Sequence, residues 1–159
     1  MRRILALAVL AVVGFWGGCA LWRSFADDAS KIRWKLLDAV AAFNASRPGY
    51  AVAPLADDWF DRTSGVHRDT LKGALIAMSW QERGGKRGMP WHLELPEDTL
   101  AIQVREDTAT ATFELVLSRP DDADSTDGWR IAVDAELADG DDGWEIVASS
   151  HETLAGRRP

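Results

Sequence analysis

Near Trp91 the spacing of apolar residues changes, and that change limits the fold more than any other feature of the chain. Before it, apolar residues recur every three or four positions; after it, every second position. Ile32, Leu36, Ala39, Val40 and Phe43 predict a helix over 27–46, with Asp27 or Asp28 as its cap. Arg47-Pro48-Gly49 stops it, because proline disfavours helical backbone in the residue before it. Tyr50–Ala53 reads as a linker. Residues 54–60 predict a short helix, with Pro54 at its first position and Leu55 and Trp59 four apart on one side. Asp61-Arg62-Thr63-Ser64-Gly65 is turn chemistry. Leu71, Ala74, Leu75 and Met78 then predict a second long helix over 67–82. Gly73 inside it suggests close packing, since glycine costs a helix up to about 1 kcal/mol against alanine. Beyond Trp91 the alternation predicts strands over 91–95, 100–105, 108–117, 129–137 and 144–148, with an acidic loop over 119–128. Helices followed by four or more antiparallel strands define an α+β fold with helices packed on one face of a curved sheet.

Charge divides the chain differently. Its 159 residues carry 18 basic and 25 acidic side chains, net −7. Arg2, Arg3 and Arg23 meet no acid within residues 1–23, so residues 24–159 hold 15 basic against 25 acidic groups, net −10. A body of that sign repels phosphate backbones, which argues against nucleic acid as a partner. The single cysteine excludes an internal disulfide framework and a multi-cysteine zinc site. Met1-Arg2-Arg3 followed by the uncharged run Ile4–Trp22 has the layout of an export segment. Three outcomes stay open. Gly17-Gly18-Cys19 resembles a bacterial lipobox, which implies lipidation of Cys19, although Trp16 stands where an aliphatic residue is usual. Residues 4–22 could instead remain as a transmembrane anchor, about 28 Å of helix. Cleavage after Ala20 or Ala26 would release the rest. Each outcome divides the chain into a leader or anchor over 1–26, a domain over 27–154 and a frayed tail over 155–159. Each also places the domain in the cell envelope, on the periplasmic or extracytoplasmic side of a membrane.

The order of long helix, short helix, third helix and meander resembles the nuclear-transport-factor-2-like superfamily, which includes SnoaL-like proteins. Two local features carry the likeness: the strands 100–105 and 108–117 around the acidic turn Glu106-Asp107, and the closing run Asp142-Gly143-Trp144-Glu145-Ile146-Val147. The resemblance covers about residues 29–153. It implies a cone-shaped domain, a strongly bent antiparallel sheet around the amino-terminal helices with a pocket at the wide end. Members of that superfamily include isomerases, dehydratases and cyclases as well as proteins that only bind or dimerise, so the fold does not choose among them.

His151 is the first candidate for chemistry, as the side chain able to exchange a proton near neutral pH on the closing strand. Strict alternation puts it with Glu145, Val147 and Ser149, opposite the apolar Trp144, Ile146 and Ala148; that face either lines the cone, where His151 could act, or meets solvent or a dimer partner. Asp134, with Glu136 beside it on the preceding strand, is the carboxylate that could work with it. His67 reads as part of a polar first helical turn and His92 as an exposed strand residue. The three histidines lack ligand spacing, and Asp139-Gly140-Asp141-Asp142-Gly143 lacks the order of a calcium loop, so neither a metal nor another cofactor is expected. The basic loop Arg83–Arg87 could touch anionic lipid headgroups if the domain sits near its anchor. Two functional classes follow. One is a membrane-tethered domain that binds a small molecule or a protein partner without catalysis, with homodimerisation through the open sheet face as a further possibility. The other is a small pocket enzyme, isomerase- or dehydratase-like, using His151 and Asp134.

Overall fold

The computed structural model describes residues 26–80, 82–83, 86–119 and 128–156. The expected leader or anchor over 1–26, including Cys19, lies outside these residues but for Ala26, as does most of the acidic loop. Among the described residues no helix is long and apolar enough to cross a membrane.

Helix α1, Asp28–Asn44, begins where the Asp27 carboxylate accepts the Ser30 N–H at 2.6 Å. It buries Ile32, Leu36, Ala42 and Phe43, so its core side is the predicted one. Asn44 at its last turn both accepts from the Leu93 N–H and donates to the Leu93 carbonyl, each at 2.8 Å, which ties the helix to the sheet. The segment read as a linker is a short helix, α2, Pro48–Ala51. The segment read as a short helix is a strand, β1, Leu55–Asp61. A register irregularity between Leu55 and Phe60 explains the error: Ala56, Trp59 and Asp61 point inward, so the buried spacing is three and then two. That irregular strand imitates a helical interval. Helix α3, Arg68–Ser79, is shorter than predicted and fully buries only Leu75. Gly73 is exposed, with nothing within 4 Å of where a Cβ would stand, so close packing is not the reason for glycine there.

The remaining elements are β2 (Glu82–Arg83) and β3 (Lys86–Arg87), a two-stranded hairpin, and β4 (His92–Glu94), β5 (Ala101–Arg105), β6 (Thr108–Ser118), β7 (Trp129–Gly140) and β8 (Gly143–Ala155). The main sheet runs β1-β8-β7-β6-β4, with β5 paired to β6 at the other half of that strand. Its strands are antiparallel except at one edge, where β1 lies parallel to β8. The sheet is therefore mixed rather than wholly antiparallel. The cause is the misread segment: β1 returns from α2 and enters beside the closing strand.

Helices cover one face of the sheet. On that face the cross-strand pairs Ala109–Leu137 and Ala111–Ala135 are buried, as are Trp144 and Ile146 next to them, and Ile32 and Leu36 of α1 pack upon this group. Toward the start of β7 burial fades. Leu115, Leu117, Ile131 and Val133 on the same face are only half-buried.

Candidate functional site

The closing strand does not keep strict alternation. Ile146 pairs with Leu137 but Ala148 pairs with Glu136, so Val147 is an extra residue, a β-bulge. Beyond it the side chains exchange faces. Ser149 stands opposite Ala135 and His151 opposite Val133, which places both on the helix-covered face with Ile146. The expectation that His151 shares a face with Glu145 and Val147 is overturned, because one inserted residue reverses the facing of everything after it.

The bulge brings His151 to Asp61, the last residue of β1. Asp61 is 5% exposed and its carboxylate is fully engaged. It accepts from the Ser64 N–H at 2.8 Å, the Ser64 hydroxyl at 2.6 Å, the Ser149 hydroxyl at 3.2 Å and His151 Nδ1 at 3.1 Å. Burial by itself would raise the pKa of this carboxyl, but the Ser64 hydroxyl and N–H, then the hydrogen bond and charge of His151, together hold it below the ordinary aspartate value. An ionised carboxylate can only accept, so this contact selects the Nδ1–H form of the ring and leaves Nε2 out of the contact with Asp61. Around the pair, Trp129 meets the His151 ring edge-on at 6.4 Å. The His151 side chain is 22% exposed, at the end of the face where burial fades.

The loop after β1 is built to hold this geometry. Gly65 adopts φ +69, where a side chain is strained, and its N–H bonds the Asp61 carbonyl while the Asp61 N–H bonds Val66. Thr63 clamps the histidine backbone, its hydroxyl accepting from the His151 N–H at 2.9 Å and donating to the His151 carbonyl at 3.0 Å. The Arg62 N–H donates to the Ser149 carbonyl at 2.7 Å. A tight turn and the closing strand are thus stitched together at the site.

Asp134 is not brought to His151. It pairs with Ser150, is exposed, and points from the opposite sheet face. That face also carries Glu136, which accepts two hydrogen bonds at 2.6 Å from the Arg62 guanidinium; the pair lowers the Glu136 pKa and raises that of Arg62. Glu114, Asp134 and Glu152 share this face with Arg105 and Arg130. His67 precedes α3 and lies 6.1 Å from Phe60, and His92 is exposed on β4, at the other side of the sheet. Among the described residues no group of three histidine, aspartate, glutamate or cysteine side chains could hold a metal ion. Asp61 is the member that sequence reasoning missed as a functional group. Its signal was the Asp61-x-x-Ser64 turn, which reads locally as a self-capping loop.

Two clefts lie elsewhere, at the other end of β8. One, about 320 Å³, is lined by Asp28, Lys31, Trp34, Lys35, Asp139 and Trp144 among others. The second, about 520 Å³, includes Lys35, Asp57, Asp58, Arg68, Asp142 and Glu145. Neither contains His151, and their cations are engaged locally: Lys31 binds Asp28 at 2.9 Å, Lys35 the Trp144 carbonyl and Arg68 the Asp57 carboxylate. The chemistry favours the His151 end.

No protein-family model and no curated protein matches the sequence. Solved structures do. The chain is similar to a nuclear-transport-factor-2-like protein of unknown function from Pseudomonas putida, with TM-score 0.61 and 17% identity over 82% of this chain and 95% of that one. A domain of unknown function with a cystatin-like fold from Nostoc punctiforme gives TM-score 0.62 and 18% identity over 83% and 78%. A provisionally assigned scytalone dehydratase from Novosphingobium aromaticivorans gives 0.58 and 16% over 77% and 81%. The chain therefore has the nuclear-transport-factor-2-like, cystatin-like α+β fold with a curved mixed sheet.

Proposed function

We propose that this chain is a small-molecule-binding domain held at the outer side of a membrane by its amino-terminal segment, and that the ligand meets the sheet face at His151. One observation carries the reading: a buried, ionised Asp61 orients a partly exposed His151 on the face where Leu115, Ile131 and Val133 remain half-buried. An apolar surface with one oriented polar group selects a ligand of mixed character, an apolar body bearing a hydroxyl or similar donor. The uncharged run Ile4–Trp22 behind Arg2 and Arg3 supports the tether, through a retained span or through Cys19.

The same pair supports a second reading, a proton-transfer enzyme in which His151 Nε2 takes a proton from substrate while Asp61 stabilises the cation so formed. In this reading Asp61 takes the part that the sequence pattern offered to Asp134. The two separate in one experiment. Phenol and benzene serve as probes, followed through the ring resonances of His151 and Trp129. Saturable shifts with phenol, tighter than benzene by about tenfold for one added hydrogen bond, support the site. Equal affinities in His151→Ala complete the case. Neither probe binding saturably would remove it. The enzyme reading instead requires a substrate whose turnover falls on the order of a hundredfold or more in His151→Gln with binding kept. Mass spectrometry of the mature protein from its native membrane tests the tether: an acylated Cys19 or an intact Met1 end supports it, and recovery of the protein from the cytosol contradicts it.

A further inference from the structure

The closing strand carries a second polar side chain beside His151. Thr153 stands opposite Ile131 and His151 opposite Val133, so the two follow one another on the helix-covered face. Trp129, two residues before Ile131 on β7, joins them. Its indole Nε1–H donates to the Thr153 hydroxyl oxygen at 3.2 Å, and its ring meets the His151 imidazole edge-on at 6.4 Å. One stiff side chain, with only two rotatable bonds, thus touches both polar residues and holds them relative to each other.

These contacts decide what each residue has left to offer. A hydroxyl holds one proton and two acceptor lone pairs. Trp129 occupies one lone pair of Thr153, and among the described residues no group accepts the Thr153 proton. Thr153 is exposed, so its O–H remains a donor for whatever lies on the sheet. His151 is the converse. Asp61 engages Nδ1–H, and the other ring nitrogen, Nε2, is an acceptor. An acceptor and a donor therefore stand two residues apart on one strand, about 7 Å between their Cα atoms. Half-buried Leu115, Ile131 and Val133 form the apolar floor beside them.

We propose that Thr153 is a second ligand contact, and that the ligand class is a hydroxyaryl carbonyl compound: an apolar ring with a hydroxyl donor for His151 Nε2 and, across the ring, a carbonyl acceptor for the Thr153 hydroxyl. The inference rests on the ligand reading at His151 and narrows it. The strand spacing matches groups on opposite sides of one ring. A hydroxyl and a carbonyl on neighbouring ring atoms bond to each other and gain little from the protein. Trp129 is the positioning residue, because its N–H orients the threonine oxygen and its ring abuts the imidazole.

The test is an NMR titration of the full chain with three probes: phenol, 4-hydroxyacetophenone and 2-hydroxyacetophenone. The expected result is that 4-hydroxyacetophenone binds about tenfold more tightly than phenol, the gain of one added hydrogen bond, and that the 2-isomer shows no such gain. The Trp129 indole N–H proton should also move further downfield with the 4-isomer than with phenol, because a hydroxyl that donates to a ligand accepts more strongly from its own donor. In Thr153→Val, which keeps the β-branched shape, the affinity ratio of 4-hydroxyacetophenone to phenol falls to about one. Thr153→Ser, which keeps the hydroxyl, restores it. Equal affinities for the two probes in the wild type overturn the inference. So does a ratio that survives Thr153→Val, since the gain then comes from the more acidic phenol and not from Thr153. In both of these cases phenol still binds saturably, and the reading at His151 stands. Absence of saturable binding by phenol and 4-hydroxyacetophenone alike removes that reading and this inference with it.

Discussion

The two ends of the helix-covered sheet face are built from the same strands and packed to different degrees. At one end Ile32 of α1, wholly buried, joins Leu137, Ile146 and Trp144, with Ala109, Ala111 and Ala135, in one buried apolar cluster. At the other end the strands continue but the cover thins, Leu115, Ile131 and Val133 stay half-buried, and a polar pair takes the place of core. The difference teaches where the fold keeps its stability and where it keeps its chemistry. A carboxylate buried among aliphatic side chains is costly unless satisfied, and Asp61 is satisfied four times over by groups brought from its own turn and from β8. The well-packed end makes the other end affordable.

Because of that contrast, equal truncations cost unequal amounts. Ile32→Ala is expected to lose about 3–4 kcal/mol, and Ile131→Ala on the half-buried end about 1 kcal/mol, measured by denaturant unfolding. Equal losses would break the comparison. Next in size is Asp61→Ala, expected to cost about 2 kcal/mol at neutral pH, because it strands the Ser64 N–H, Ser149 and His151. Its sign with pH is fixed by the lowered pKa. A carboxyl whose pKa is depressed in the folded state contributes stability above its unfolded value, near 3.8, and loses it as pH falls through that value toward the folded one. Acid titration of wild-type stability should therefore show a drop below about pH 4 that Asp61→Asn reduces. Gly73→Ala should raise stability by up to about 1 kcal/mol, since the site is open and lies inside a helix; a decrease would mean that α3 packs more closely than its exposure shows. The smallest effect is Asp134→Asn, within about 0.5 kcal/mol and without change in the His151 ring resonances, because the residue lies across the sheet.

Much of this architecture was legible in the residues. The period of α1, the alternation in β5, β6 and β7 and the acidic turn at Glu106 are local patterns, and local patterns survive into the fold. What escaped was non-local. The bulge at Val147 has no glycine or proline to mark it, yet it decides which face His151 occupies. The irregularity in β1 gave Leu55 and Trp59 a helical spacing, which hid both the strand and its parallel pairing with β8. Asp61 looked like a turn residue because it is one; only the meeting of that turn with a strand about ninety positions later gives its carboxylate a histidine. A sequence pattern reports the faces of an element from within it, and a one-residue insertion is invisible until the partner strand is known.

The central claim is that the bulge turns His151 to the helix-covered face and that Asp61 fixes its ring. Nitrogen-15 NMR of the histidine side chains tests this most directly. The account predicts an Nδ1–H form at His151, slow to exchange, with through-space contacts from the ring to Trp129 and Ser149 and loss of that form in Asp61→Asn. An Nε2–H form, unaltered by Asp61→Asn and with ring contacts to Asp134 or Ser150, would contradict it.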